Sequence, residues 1–444
     1  MQAITASGAG GVSSSTALDQ TYRKIMWRIM PVVMVLWLVA FLDRQNIGFA
    51  TLTMSKDLDL TAAAFGLAGG MFFLGYVFWE IPSNLALTRF GARKTITRIA
   101  VLWGISNAAM MFTNSAFMLY VLRFLLGSFE AGLFPGVLLY MTFWMPAERR
   151  SAMVGWFASM GAVAGIIGGP LAGYILTGMA GLGGYAGWQW LFLVEGLLSV
   201  VVGVVSWFFI HDLPETAPWL SSGEKTALAA DLARDSEVMS HRKESFWPTL
   251  VSPIIWILVL GQVANNYCYT GLTIWGPTMM KDAGLTDPRT IGWIVSGISL
   301  VTFVGMVAIG YSSNRFNDTK FHFGVAALLS ALGMVVVATG ASSTNLVVLG
   351  LLWAQTFSGC AIAAFWAIPS RVFARMALIV GLAFISAMGN IGGFFGSSVL
   401  GVIRDMSGSY SGGFYVMAAI YVVAGLLVAA VIVDRATAKT KAFS

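Results

Sequence analysis

Four charged residues lie inside long apolar segments of this chain: Asp43, Arg44, Arg123 and Glu130. A guanidinium group stays charged and can donate two parallel hydrogen bonds to a carboxylate, so Arg44 and Arg123 are candidate substrate-binding residues for an anion. A carboxyl group in apolar surroundings can gain and lose a proton as its neighbours change, so Asp43 and Glu130 are candidate proton-binding residues. Arg123 and Glu130 are about two helical turns apart, which predicts that both lie on one helix face.

Each of these residues has a structural alternative, in which the two acids and the two arginines only neutralise each other and hold helices together. Two further acids lie in apolar segments. Glu80 precedes Ile81 and Pro82 and is a candidate gating residue or second proton site, again with a structural role as the alternative. Glu195 is interpreted as structural.

The surroundings of these residues indicate a membrane protein. The sequence of 444 residues is 57% hydrophobic and only 10% charged, whereas soluble domains carry roughly 25% charged residues. A transmembrane helix needs about 20 mostly apolar residues. Twelve runs meet this condition and predict an all-α protein with spans at 29–51, 64–87, 95–113, 117–144, 152–177, 187–211, 250–280, 291–312, 322–341, 345–368, 378–402 and 412–434.

Positive charges predict the orientation. Short cytoplasmic loops collect Lys and Arg, and most of the 26 Lys and Arg residues fall in segments that a cytoplasmic N-terminus places inside. Both termini are therefore predicted to be cytoplasmic. The net charge of +6 is explained by this topology, and no nucleic-acid partner is expected.

The spans form two groups of six around a charged segment. We predict an N-terminal tail (1–28), a first half (29–211), a cytoplasmic linker (212–249), a second half (250–434) and a C-terminal tail (435–444). The stretch 84–90 resembles 310–316, which supports an internal repeat. Parallel repeats place a substrate site near the membrane midplane between the halves.

The second half carries no Lys, Arg, Asp or Glu deep in a span, so its contribution to such a site must be neutral. Candidates are Asn266 in the seventh span and Ser386 and Asn390 in the eleventh. His211, His241 and His322 lie at span ends or in loops, and no nucleophile–base pair is present. The sequence therefore predicts neither an enzyme nor a metal site, and no cofactor.

The loop 87–94, LTRFGARK, resembles the loop-two signature of the major facilitator superfamily. That resemblance implies gating roles for Arg89 and Arg93. The chain departs from the signature at Asn84, where the family has Gly, and at Thr88, where it has an acid. Asn314 replaces the equivalent acid in the second half.

Within that superfamily the chain is similar to the anion:cation symporter family, in its bacterial branch of tartrate-, phthalate- and hydroxyphenylacetate-type permeases. The matching stretches are LDRQNIGFA (42–50), FFLGYVFWEIPSNL (72–85), VLRFLLGSFEAGLFPG (121–136), GWQWLFLVEG (187–196), FWAIPS (365–370) and GNIGG (389–393). Tyr76 and Trp366 occupy positions that resemble substrate-facing ones in the family, and Ser386 stands where relatives often have Asn.

The resemblance implies proton-driven uptake of a small organic carboxylate across the bacterial inner membrane by alternating access. The expected partners are the anion, protons and the lipid bilayer, and the protein is expected to be a monomer. The alternative is a proton-coupled efflux carrier or exchanger of another organic solute. Two arginines inside the membrane disfavour a cationic substrate, because they would repel it.

Overall fold

The computed structural model describes residues 9–240, 250–373 and 375–431. Four predicted segments fall wholly or partly outside this range: residues 1–8 of the N-terminal tail, residues 241–249 of the linker, residues 374 and 432–434 of the second half, and the C-terminal tail 435–444. The division into these domains stays a prediction.

Eight helices precede residue 241. They are α1 (Ala9–Asp57), α2 (Ala62–Phe90), α3 (Ala92–Ala109), α4 (Ala116–Glu130), α5 (Leu133–Thr142), α6 (Ala147–Gly178), α7 (Gly187–Phe209) and α8 (Ser222–Ser240). Helix α1 begins well before the predicted first span, and Tyr22 and Ile25 in this added part are buried.

Seven further helices follow. They are α9 (Pro253–Asp282), α10 (Pro288–Arg315), α11 (Lys320–Thr339), α12 (Thr344–Phe365), α13 (Ile368–Val372), α14 (Arg375–Ser407) and α15 (Ser411–Val431).

Among the described residues, 11 helical segments are long and apolar enough to cross a membrane. Helix α9 occupies the predicted seventh span but is not one of the 11, since polar residues such as Gln262, Asn265 and Asn266 lower its hydropathy. At 30 residues and 1.5 Å per residue, α9 is nevertheless long enough to cross. The predicted all-α fold with two six-helix halves is confirmed.

The fourth span of the first half is interrupted. The predicted span 117–144 is two helices, because α4 ends at Glu130 and α5 begins at Leu133. Between them Gly132 has φ +87°, where a Cβ would lie 2.6 Å from Ser83 Oγ; only glycine adopts this conformation without strain. The predicted span 345–368 ends at a break of its own, since α12 ends at Phe365 and α13 begins at Ile368. The first break places Glu130 at a helix C-terminus.

Three helix pairs join the halves: α2 with α14, α6 with α10, and α1 with α9. We define the far end of the bundle by the loops 58–61, 179–186, 283–287 and 408–410. Backbones of opposite halves approach closely towards this end: a Cβ on Gly169 would lie 2.3 Å from Gly292 O, and one on Gly401 would lie 2.2 Å from Ala62 O. Small residues permit such close helix contacts in membranes.

The opposite, near end carries α8, which is attached to α1. Lys24 Nζ and Glu224 Oε2 are 3.0 Å apart, and Tyr22 donates to Asp231 Oδ2 at 2.5 Å. Hydrogen bonds from the Ser221 backbone and from Lys24 hold the pKa of Glu224 below its ordinary value.

Candidate functional site

Arg44 and Glu130 form an ion pair between α1 and α4. Arg44 Nε donates to Glu130 Oε1 at 2.6 Å, and Arg44 Nη2 lies 2.6 Å from the same oxygen without the alignment of a hydrogen bond. Glu130 Oε2 is buried, and no donor among the described residues reaches it. Because the free carbonyls at a helix C-terminus disfavour an anion, the charge of Glu130 depends on Arg44.

Aromatic rings surround the Arg44 guanidinium. Its Cζ atom lies 5.2 Å from the ring centroid of Trp37, 5.1 Å from that of Phe41 and 5.2 Å from that of Tyr76. A cation near a ring face within about 6 Å is stabilised by the ring quadrupole. The rings therefore support a positive charge at Arg44, whose side chain is 20% exposed.

Arg123 is buried to 1% exposure and has an incomplete set of partners. Its Cζ atom lies 5.3 Å from the Phe72 ring centroid, as does that of Arg44. Arg123 Nε and Nη1 have no hydrogen-bond acceptor within the described parts of the chain. The two guanidinium groups thus share one aromatic neighbour, and Arg123 has unused N–H donors.

Asp43 faces the inside of the first half. Asn107 Nδ2 donates to Oδ1 at 2.6 Å, while Trp103 Nε1 and Ser199 Oγ donate to Oδ2 at 2.8 and 2.6 Å. These donors lie on α3 and α7. Asp43 and Arg44 are therefore adjacent in sequence but have different partners.

Glu80 and Tyr76 lie one helical turn apart on α2, and both are buried. The Glu80 carboxyl is within the electrostatic reach of Arg44 and interacts with the side chain of Asn390 on α14. Of the residues predicted for the second half, Asn390 is thus brought to the acids and arginines of the first.

The other predicted residues of the second half are half-buried, on two helices and in one turn. Asn266 lies on α9, where its Nδ2 would be 3.4 Å from a Cβ on Gly389. Trp366 follows α12 and contacts the ring of Phe365, and Ser386 lies on α14. No contact recorded for the described residues joins these three to Arg44 or Arg123, and their substrate-binding roles stay predictions.

The two arginines predicted to gate are placed at the near end. Arg89 is exposed beside the Phe90 ring. Arg93 donates from Nε to Trp207 O at 2.6 Å, and its backbone N–H binds Asp212 Oδ1 at 2.8 Å. Asp212 thus places an acid at the start of α3, whereas Thr88 stands where the family signature has an acid. Both partners of Arg93 belong to the first half, and its gating role stays a prediction.

Several residues around the site were not singled out by the sequence. They are the rings near the arginines and the donors to Asp43: Trp37, Phe41, Phe72, Trp103, Asn107 and Ser199. Aromatic residues are common in membrane helices, so no pattern marked these rings. Asn107 carries a signal, since an amide inside a span needs a partner.

Within the described ranges, no group of three or more His, Cys, Asp or Glu side chains is placed to hold a metal ion. Apolar helices that enclose two arginines and several acids are typical of a multi-pass membrane transporter. The chain belongs to the Major Facilitator Superfamily, which it matches over residues 33–383 and 286–443. It is a transporter and not an enzyme. The family predicted from the sequence, with its tartrate-type branch, is confirmed.

Two relatives illustrate this membership, and one solved structure shares the fold. The chain is 37% identical to a protein of Agrobacterium vitis named as a tartrate transporter, over 94% of this chain and 92% of that protein. It is 34% identical to a quinolone resistance transporter of Acinetobacter baumannii, over 88% and 90%. The crystal structure of a D-xylose-proton symporter has the same fold, with a TM-score of 0.73, 15% identity and coverage of 92% and 98%.

Proposed function

We propose that this transporter imports a small organic carboxylate together with protons, by alternating access across the bacterial inner membrane. The main support for the proposal is that the buried Nε and Nη1 atoms of Arg123 have no hydrogen-bond acceptor among the described residues. Uptake of labelled carboxylates into vesicles with an imposed pH gradient tests the proposal. Tartrate, phthalate and hydroxyphenylacetate are the first candidates, in line with the name of the Agrobacterium vitis relative.

The substrate completes the coordination of Arg123. A buried charge without a full set of partners is unfavourable, and breaking a buried ion pair costs about 3–5 kcal/mol. A carboxylate placed at Arg123 supplies two acceptor oxygens for its unused N–H groups. A neutral solute would leave the guanidinium charge uncompensated, so this site favours an anion.

Glu130 couples proton binding to substrate binding through Arg44. While Glu130 is ionised, it holds Arg44 through Oε1. Its second oxygen, Oε2, has no donor within the described chain and is the atom on which a proton would sit. Protonation removes the charge that holds Arg44 and frees this guanidinium for the substrate, so proton and anion bind cooperatively. Asp43 is the second proposed proton-binding residue.

The charge balance sets the expected stoichiometry. Asp43, Arg44, Arg123 and Glu130 sum to zero when both acids are ionised, and the second half adds no deep charge. Each negative charge on the substrate is therefore matched by at least one proton, so a dicarboxylate takes two or more.

We place the near end, with both termini and the linker, in the cytoplasm, because the Lys and Arg residues concentrate there. The halves approach each other closely towards the far end, through pairs such as Gly169 with Gly292. With this orientation, we propose that the described conformation is closed towards the outside.

An efflux carrier is the second candidate function. It is favoured by the 34% identity to the quinolone resistance transporter. The direction of net movement under an inward proton gradient separates the two: a symporter concentrates the substrate on the side that protons enter, whereas an antiporter depletes it there.

A further inference from the structure

A second polar cluster lies inside the first half, between α1, α3 and α7. It consists of Asp43, Asn46, Asn107, Glu195 and Ser199, each at most 2% exposed. Glu195 and Ser199 are one turn apart on α7, so they present one face to α1. The cluster holds two carboxyl groups, Asp43 and Glu195.

The donors in this cluster are distributed unequally between the two acids. Asp43 accepts three hydrogen bonds, from Trp103, Asn107 and Ser199. Three donors stabilise an ionised carboxylate, since each hydrogen bond to the charged form favours that form. Asp43 is therefore arranged as an anion in this conformation.

Glu195 has the opposite surroundings. Its Oε2 atom is buried, and no donor in the described chain reaches it. Asn46 uses its Nδ2 to donate to Asn107 Oδ1 at 3.2 Å, so this amide is engaged within the cluster. The Glu195 carboxyl thus has a buried oxygen that no described group donates to.

Charged groups around the cluster differ for the two acids. Asp43 is within the electrostatic reach of Arg123 and Glu130 on α4, and Arg44 follows it on α1. The charged group that acts on Glu195 is Asp43 itself. A second negative charge beside an ionised Asp43 is unfavourable, because two buried carboxylates in one site cannot both ionise easily.

We propose that Glu195 is a proton-carrying residue of the transport cycle, which holds a proton on its buried Oε2 atom while Asp43 is ionised. This proton neutralises the Glu195 carboxyl and leaves one negative charge on the pair of acids. When the helices move during alternating access and Asp43 loses a donor, the proton passes to Asp43, or leaves to water. This proton site lies between α1, α3 and α7, inside the first half. The inference rests on the proposed proton coupling.

The test compares Glu195→Gln with the wild type in reconstituted vesicles, with proton and substrate flux measured together. Glutamine has the same shape as a protonated glutamate and is neutral but cannot release a proton, so the variant should behave as the wild type if the proton on Glu195 is only structural. We expect the proton-to-substrate ratio to fall by one and the pH dependence of uptake to flatten. An unchanged ratio with an unchanged pH profile would overturn the inference.

A second variant keeps the test decisive if Glu195→Gln does not fold. Ser199→Ala removes one donor to Asp43 and so favours its protonated form, which shifts the midpoint of the pH profile upwards. Ser206→Ala is the matched control, since Ser206 is also buried on α7 but donates to Gly203 O. Equal midpoints in the two serine variants would contradict the proposal.

The wild-type measurement separates this inference from the proposed function. If the wild type carries no protons, both the proposed function and the role of Glu195 are wrong. If the wild type carries protons and Glu195→Gln has the same proton-to-substrate ratio, only the role of Glu195 is wrong.

Discussion

Arg44 and Glu130 form an ion pair that uses only one of the two carboxylate oxygens, since both Nε and Nη2 of Arg44 lie 2.6 Å from Glu130 Oε1. A guanidinium can bind both oxygens of a carboxylate in parallel. The pair in this structure leaves Oε2 open to a proton and leaves Arg44 able to exchange its partner. This geometry is suited to a reversible contact.

Replacement of Glu130 by Gln tests the coupling role of the ion pair. The amide keeps the shape but removes the charge that holds Arg44, so we expect carboxylate binding to be retained and uphill accumulation to be lost. Exchange of labelled for unlabelled substrate across the membrane should continue. Accumulation at the wild-type level would contradict the role of Glu130. Glu224→Gln, which neutralises the exposed partner of Lys24, is the control and should accumulate normally.

Replacement of Arg123 by Lys tests the substrate site. Lysine keeps the charge but loses the planar fork, and a hydrogen bond to a charged group contributes about 1.5–3 kcal/mol. We therefore expect the affinity for the carboxylate to fall by about 10- to 100-fold, measured by calorimetry on purified protein. Arg149→Lys, at a surface pair with Asp19, is the matched control. Wild-type affinity in Arg123→Lys would show that Arg123 does not bind the substrate.

The buried arginines and acids could be predicted from the sequence, but their partners could not. Charges in a membrane are expensive, so Arg123 and Glu130 were predicted to point into the bundle, and both are buried. Asp43 and Arg44 are neighbours, and consecutive helical residues point about 100° apart. Which of them would face Glu130 depends on how α1, α4 and α7 pack, and a single sequence does not contain that information.

The positions of the membrane spans could be predicted from the sequence, but the break inside one of them could not. Hydropathy located the spans, because the bilayer fixes their length. It missed the break at Gly132, since one glycine in a long apolar run has the same hydropathy whether the helix continues or ends. Hydropathy also gives no sign of the unpaired Glu195 oxygen, which becomes visible only when α1 and α7 are packed together.

Asp405 offers a test of the contact between the halves at the far end. Its carboxylate accepts from the backbone N–H groups of Ala62 and Ala63, at 3.0 and 2.7 Å, and so caps α2 from the opposite half. Loss of a cap costs about 0.5–2 kcal/mol. We expect Asp405→Ala to raise the population that is open at the far end, seen as longer distances between spin labels at 182 and 406.

The control for this variant is Asp287→Ala. Asp287 caps its own helix, accepting from the Arg289 and Thr290 backbones. Its loss should therefore leave the label distances between the halves unchanged. Equal distance distributions in Asp405→Ala and Asp287→Ala would show that Asp405 does not hold the halves together.

Reporter fusions test the orientation. Gly223 at the near end and Gly181 at the far end are both exposed and are suitable positions for a reporter. We expect a reporter that is active only outside the cytoplasm to be silent after Gly223 and active after Gly181. The reverse pattern would invert the proposed topology.

The parallel measurement of proton and substrate flux in reconstituted vesicles tests the central claim most directly. Because Arg44 and Arg123 are the deep cations of the site, each substrate charge must be matched by at least one proton. We predict a ratio of at least two protons for a dicarboxylate and at least one for a monocarboxylate. A dicarboxylate carried with fewer than two protons, or uptake that ignores the pH gradient, would contradict the account.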